Sequence, residues 1–186
     1  MNTVVFDLAG TLLPSPTKRV LVETARHFEI LIEVSPLRHV TIEEIAKEVE
    51  TQGIEHKEFF ETFWKNYSQY VTFFSLFPET RDVLEKLKEK GIRLALFSDV
   101  PKKIVQKILR DHELEHFFEV VITLDDVQKP KPSPEGLNLI LRKLSVSKED
   151  VIFVGDRIAD KIAGERAGVK VLLLNQSSDL LTLLSL

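Results

Sequence analysis

The sequence predicts an α/β fold, with a doubly wound parallel sheet as its core and a small helical unit inserted into it. Three observations lead there. Five short apolar runs, at 3–6, 92–97, 120–124, 151–154 and 169–174, do not alternate with polar residues, as strands buried on both faces require. Helix-period segments separate most of these runs, and strands alternating with helices form βαβ units around a parallel sheet. From about residue 14 to residue 76 the alternation stops, and only helical patterns remain.

Each element has its own justification. The first run stops at Asp7, and a Gly10-Thr11 turn follows. In the inserted region, Thr41 with Glu44 three residues on forms a capping-box signature, and Ile42, Ile45, Ala46 and Val49 line the helix it opens. Phe59, Phe60, Phe63, Trp64, Tyr67 and Tyr70 then recur at helical spacing. Nine of the 15 aromatic residues lie between positions 59 and 77, which favours a small helical core and its docking surface over an aromatic substrate pocket. After the insertion, Val83, Leu84 and Leu87 share a face that closes at Gly91, a C-terminal cap. Ile104, Val105, Ile108 and Leu109 form the next stripe, with Pro101 in its first turn. Leu137, Ile140, Leu141 and Leu144 form another, opened by Ser133 as N-cap and Pro134 at the first helical position. Ala159, Ile162, Ala163 and Ala167 follow the fourth strand and end at Gly168, and the tail from 177 to 186 reads as a short closing helix. The expected division is a core of residues 1–13 and 77–186 with a helical unit of residues 14–76.

Composition narrows the function. Hydrophobic residues at 44% beside 29% charged residues describe a water-exposed globular chain. A net charge of -4 argues against a nucleic-acid partner, which needs a basic face. No apolar run approaches the roughly 18 to 20 residues that span a bilayer, so no membrane partner is expected. Zero cysteines exclude disulfides, thiol catalysis and thiolate metal sites. A cytoplasmic setting is expected, and abundant Glu, Lys and Ile lean towards a thermophilic source.

Ligands of open parallel sheets bind at the carboxyl ends of the strands. Those ends carry Asp7, Ser98 with Asp99, Asp125 with Asp126, and Asp156 with Asp160, while Lys129 and Lys131 lie in the loop after the third strand. Paired carboxylates without His or Cys suit a hard cation with oxygen ligands, above all Mg²⁺. A lysine and a serine hydroxyl beside them complete a cradle for a phosphoryl group. One carboxylate could then attack phosphorus and form an aspartyl-phosphate.

The stretches "DLAGT", "FSD", "KPSPE" and "GDRIAD" occur in the order and spacing of the haloacid dehalogenase superfamily, and the chain resembles its phosphatases over essentially its whole length. The resemblance implies a Rossmann-like core with an α-helical cap of the first type, Mg²⁺ as cofactor and a small phosphorylated substrate, in a monomer or homodimer. It implies Asp7 as nucleophile, Thr11 as support of the first turn, Ser98 as phosphoryl ligand, and Lys131 as partner of nucleophile and phosphate. Asp156, Asp160, Asp7 and the backbone carbonyl of Ala9 would hold the metal. Lys129 is the rival of Lys131, and the Ser-Pro-Glu helix start favours Lys131. Asp99 stands where the family commonly has asparagine and reads as a local cap. Asp125 and Asp126 read as solvated loop residues, and Arg157 could touch substrate or face solvent.

Ala9 departs from the pattern. Phosphatases of the family usually carry a second aspartate there, which protonates the leaving oxygen and later activates water. Three explanations are open: an Asp→Ala replacement in an otherwise complete phosphatase, a carbon–phosphorus bond hydrolase resembling phosphonoacetaldehyde hydrolase with Lys47 or Lys57 as its cap lysine, and a degenerate protein that binds a phosphorylated ligand without turnover.

Overall fold

A computed structural model describes residues 2–32 and 42–185 of the chain. It divides into two compact units, Met1–Pro14 with Ser75–Leu186, and Ser15–Phe74.

The first unit is built on a parallel sheet of five strands: β1 (Thr3–Phe6), β2 (Arg93–Phe97), β3 (Val120–Ile122), β4 (Val151–Gly155) and β5 (Lys170–Leu173). Their order is β3-β2-β1-β4-β5, so β1 is central and the direction of winding reverses beside it. That reversal opens a crevice at the carboxyl ends of β1 and its neighbours, where such sheets bind ligands. Phe6 pairs with Leu96 on β2 and with Val154 on β4, which brings the three strand ends level.

Four helices belong to this unit: α4 (Thr80–Glu89), α5 (Lys102–Asp111), α6 (Glu135–Leu144) and α7 (Ile158–Ala167). Successive residues of a strand face opposite sides of the sheet. Val5, Ala95, Phe97, Ile122 and Phe153 accordingly form one buried cluster with Leu137, Ile140 and Leu144 of α6 and Ala163 and Ala167 of α7. Val4, Phe6, Leu94 and Leu96 are equally buried on the other side, and α4 packs on β2 with Val83, Leu84 and Leu87 inward. The closing segment is a 3₁₀ helix, Ser177–Ser185, which buries Leu180 and Leu183 and packs along α4.

Among the boundaries that differ from the sequence reading, two have a clear local reason. The third strand stops at Ile122 because the Thr123 N–H and hydroxyl both donate to Asp126 Oδ2, at 2.9 and 2.7 Å, and start a 3₁₀ turn at Leu124–Asp126. Helix α6 begins at Glu135 with Pro134 as N-cap, one residue later than a Ser133 cap implies, although Ser133 Oγ accepts the Glu135 N–H.

The second unit holds α1 (Thr17–His27), α2 (Ile42–Thr51) and α3 (His56–Val71). Phe59, Phe63, Tyr67 and Val71 recur along α3 and are buried with Val20, Leu21 and Ala25 of α1 and Ile45 and Val49 of α2. The aromatic stripe is therefore core, with Phe59, Phe63 and Tyr67 inside and Phe60, Trp64 and Tyr70 half-buried beside them. The expected cap at Thr41 lies outside the described residues. Among the described residues, no helix is long and apolar enough to cross a membrane.

Candidate active site

The strand ends converge as the sheet order requires. Asp7 follows β1, its N–H still bonded to the Val154 carbonyl at 2.8 Å, so the backbone stays in register while the side chain reaches the sheet edge. Ser98 follows β2, is buried, and donates its N–H to Ile122 O at 3.0 Å. Its Oγ accepts the Val100 N–H at 3.3 Å, a local turn that precedes α5. Asp156 follows β4, and Asp160 sits one helical turn further, in the first turn of α7, where its Oδ2 accepts the Arg157 N–H at 2.9 Å.

Lys131 joins these ends. Its loop is pinned by Glu135, whose two carboxylate oxygens accept the N–H groups of Gln128 and Lys129 at 2.9 and 3.1 Å. The Lys131 ammonium lies 2.5 Å from Asp7 Oδ1, donates to Phe97 O at 3.4 Å, and forms an ion pair with Asp160 Oδ1 at 2.8 Å. It also lies 5.1 Å from the Phe97 ring centroid and 5.7 Å from that of Phe153, within reach of both ring faces. The side chain is fully buried, whereas Lys129 is exposed. Of these two lysines, Lys131 is the one at the strand ends.

Burial makes these charges costly, and the pairing decides which survive. Desolvation pushes the Asp7 carboxyl up to about 7, against the pull of Lys131. Burial likewise penalises the Lys131 ammonium, yet Asp160, Asp7 and Asp99 outweigh it and hold its pKa above the ordinary value. Asp160, also opposed by burial, stays below the usual carboxylate range because Lys131 and Arg157 face it. Asp156 is raised by burial and by Asp160.

Asp7, Asp156 and Asp160 each offer an oxygen, all within 4.8 Å of one another. Asp7 Oδ2 is buried and lacks a hydrogen-bond partner among the described residues, an arrangement that leaves one oxygen of that carboxylate for a cation or a reacting atom. An all-oxygen donor set with excess negative charge fits Mg²⁺. The backbone is shaped around it. Gly10 has φ +98°, and a Cβ there would stand 2.3 Å from Asp156 Oδ2, so only glycine lets the first turn approach this carboxylate. Thr11 is buried and its hydroxyl donates to Asp156 Oδ1 at 3.3 Å. Ala9 follows the buried Leu8 and pairs with Leu13 in an isolated bridge, its methyl group adding no polar atom.

One sequence expectation is corrected. Asp99 is not a local cap. It is buried, one oxygen accepting the Lys131 N–H at 3.1 Å and the other the Arg157 guanidinium at 3.2 Å. Arg157 therefore neither faces solvent freely nor stands alone: it binds Asp99 and comes within 3.9 Å of Asp160 Oδ2 through Nε. The sequence carried no local signal for this link, because its ends are 58 positions apart. Asp125 and Asp126 likewise have structural duties beyond solvation, Asp125 accepting the Lys102 N–H at the start of α5 and Asp126 closing the 3₁₀ turn. In the second unit, Lys47 and Lys57 are exposed.

Comparison with known proteins agrees with this fold. The family profile described as haloacid dehalogenase-like hydrolase matches residues 4–174. The pyrophosphatase PpaX of Bacillus pumilus is 31% identical over 182 residues, covering 91% of this chain and 81% of that protein. Two solved structures share the fold. One is CbbY from Rhodobacter sphaeroides in complex with phosphate, with TM-score 0.78, 22% identity, and coverage of 93% of this chain and 86% of that one. The other is a HAD-superfamily hydrolase from Ehrlichia chaffeensis, with TM-score 0.69, 22% identity, and coverage of 98% and 95%.

Proposed function

The chain belongs to the haloacid dehalogenase-like hydrolases, and from that membership we propose that it is a Mg²⁺-dependent phosphatase that attacks small phosphorylated molecules through Asp7. The carrying observation is the split environment of the Asp7 carboxylate: one oxygen is held by Lys131, and the other is buried without a hydrogen-bond partner among the described residues. The PpaX relatives, named as pyrophosphatases, support a phosphoryl substrate.

In this reading Asp7 Oδ2 attacks phosphorus, the bond from phosphorus to the leaving oxygen breaks, and an aspartyl-phosphate forms on Asp7. Lys131 keeps the carboxylate oriented through Oδ1 and offers positive charge to the phosphoryl oxygens. Ser98, at the adjacent strand end, donates its hydroxyl to one of those oxygens. Asp156, Asp160, Asp7 and the Ala9 carbonyl would hold Mg²⁺, with Thr11 fixing Asp156. Bound there, the cation would screen Asp7 from an anionic substrate and stabilise the transferring oxygens. Residues 15–74 take the role of cap, which admits the substrate and then excludes water, hinged near Pro14 and Phe77.

Ala9 sets the limit on turnover. Its methyl group can neither protonate a leaving oxygen nor activate the water that must hydrolyse the aspartyl-phosphate. A positioned acid–base group contributes about 10² to 10⁴-fold, so the chain binds and attacks but turns over slowly. The test is phosphate release from an aryl phosphate, with Mg²⁺ and with a chelator, by this chain and by Ala9→Asp. Metal-dependent release, faster in Ala9→Asp, is expected. Its absence from both proteins overturns the reading.

A further inference from the structure

Asp99 and Arg157 stand outside the residues assigned to phosphoryl transfer, yet they are built into the same strand ends. β2 and β4 lie on either side of β1, so the Asp99–Arg157 contact spans the strand end that carries Asp7. The Asp99 side chain is only 7% exposed, and that of Arg157 is 23% exposed. An acid buried to this degree is costly unless paired, and Asp99 is paired twice, with the Lys131 N–H and with the Arg157 guanidinium. Arg157 is held at both ends in turn, by Asp99 at its tip and by Asp160 near its Nε and at its own N–H. The field of Asp99 reaches both cations of the site, Lys131 and Arg157.

The charge count gives this contact a purpose. Fully ionised, Asp7, Asp99, Asp156 and Asp160 face Lys131 and Arg157, four negative charges against two positive. The remainder is the complement of one divalent cation. Without Arg157 the acid at position 99 would make the site more negative and repel an incoming anion. Without Asp99 the guanidinium would weaken the hold on a cation.

We propose that Asp99 and Arg157 are a matched pair of positioning residues that sets the charge of the site, balancing divalent-cation binding against phosphoryl-anion binding. This rests on the reading of the Asp7 site as a metal and phosphoryl site. A tie that only holds two loops together makes a different forecast, because its loss weakens both ligands at once. A charge-setting pair moves them in opposite directions.

The experiment uses the full chain with Asp99→Asn, Arg157→Gln and the double variant. Asparagine keeps an acceptor for the Lys131 N–H and removes only the charge. Binding of Mg²⁺ alone, and of inorganic phosphate at saturating Mg²⁺, is measured by calorimetry at fixed salt. In Asp99→Asn, Mg²⁺ binding should weaken and phosphate binding tighten, each by roughly three- to tenfold, the effect of one partly screened charge. In Arg157→Gln both shifts should reverse. The double variant should return both affinities to within about twofold of the parent, and Arg157→Lys should behave more like the parent than Arg157→Gln. Affinities that fall together in each single variant, or that do not move, overturn the proposal. A chemical-denaturation cycle on the ligand-free proteins reads the pair by itself. If the parent binds neither Mg²⁺ nor phosphate, the functional reading fails and the charge-setting role falls with it, whereas a denaturation cycle without coupling overturns the pair alone.

Discussion

Lys131 holds one oxygen of Asp7 at 2.5 Å and leaves the other without a partner among the described residues. The carboxylate is thus fixed in direction by a residue 124 positions away, while the oxygen that could react stays uncommitted. Orientation of this kind lowers the cost of bringing nucleophile and substrate together.

Replacing Asp7 with Asn should leave the fold intact and abolish the chemistry. Phosphate release by the Ala9→Asp protein should fall by roughly 10³-fold or more when Asp7→Asn is added. Intact-mass spectrometry after acid quench should find a phosphoryl adduct on the parent chain incubated with aryl phosphate and none on Asp7→Asn.

Lys131→Met should be destabilising as well as inactive. It strands Asp7 and Asp160 together in a buried site, and breaking a buried ion pair from one side costs about 3–5 kcal/mol. Urea denaturation measures the loss, and saturating Mg²⁺ should recover part of it by offsetting the stranded carboxylates.

Ala9→Asp should raise steady-state phosphate release by about 10² to 10⁴-fold, the range of a positioned acid–base group. The gain should appear in kcat far more than in KM, because the added carboxyl acts on proton transfer rather than on binding.

Gly10→Ala should weaken the metal site without replacing any of its ligands. The added Cβ meets the Asp156 carboxylate at 2.3 Å, and φ of +98° is strained for any residue with a side chain. A stability loss of about 1–3 kcal/mol is expected. The rise in Tm on adding Mg²⁺, near 2.7 kcal/mol of stabilisation at a hundredfold excess over Kd for the parent, should shrink with it.

The strands were legible because each is a short apolar run, with β1 and β4 buried throughout, and the strand order brings their ends together. Lys131 was distinguishable from Lys129 by the helix start that follows it. Finer boundaries were not, since Thr123 ends β3 through a side-chain bond to Asp126 that the apolar pattern of 120–124 conceals. Asp99 looked like a local cap because its sequence neighbours supply a turn, while its real partners, Lys131 and Arg157, come from two other loops. Phe97 and Phe153 were legible as core residues. That their rings also flank the Lys131 ammonium depends on the pairing of β2 and β4 with β1, which no local pattern encodes.

The central place of β1 also bears on how the molecule is made. The middle strand of the sheet, Thr3–Phe6, is synthesised before both of its partners, Arg93–Phe97 and the much later Val151–Gly155. The apolar stretch Thr3–Phe6 must therefore wait, with one edge unpaired until residue 155 has emerged. Such a chain assembles its nucleation-distant contacts late and exposes an aggregation-prone segment meanwhile. A nascent chain stopped before residue 155 lacks both the second flank of β1 and two of the three clustered carboxylates, so fold and site come into being in the same step.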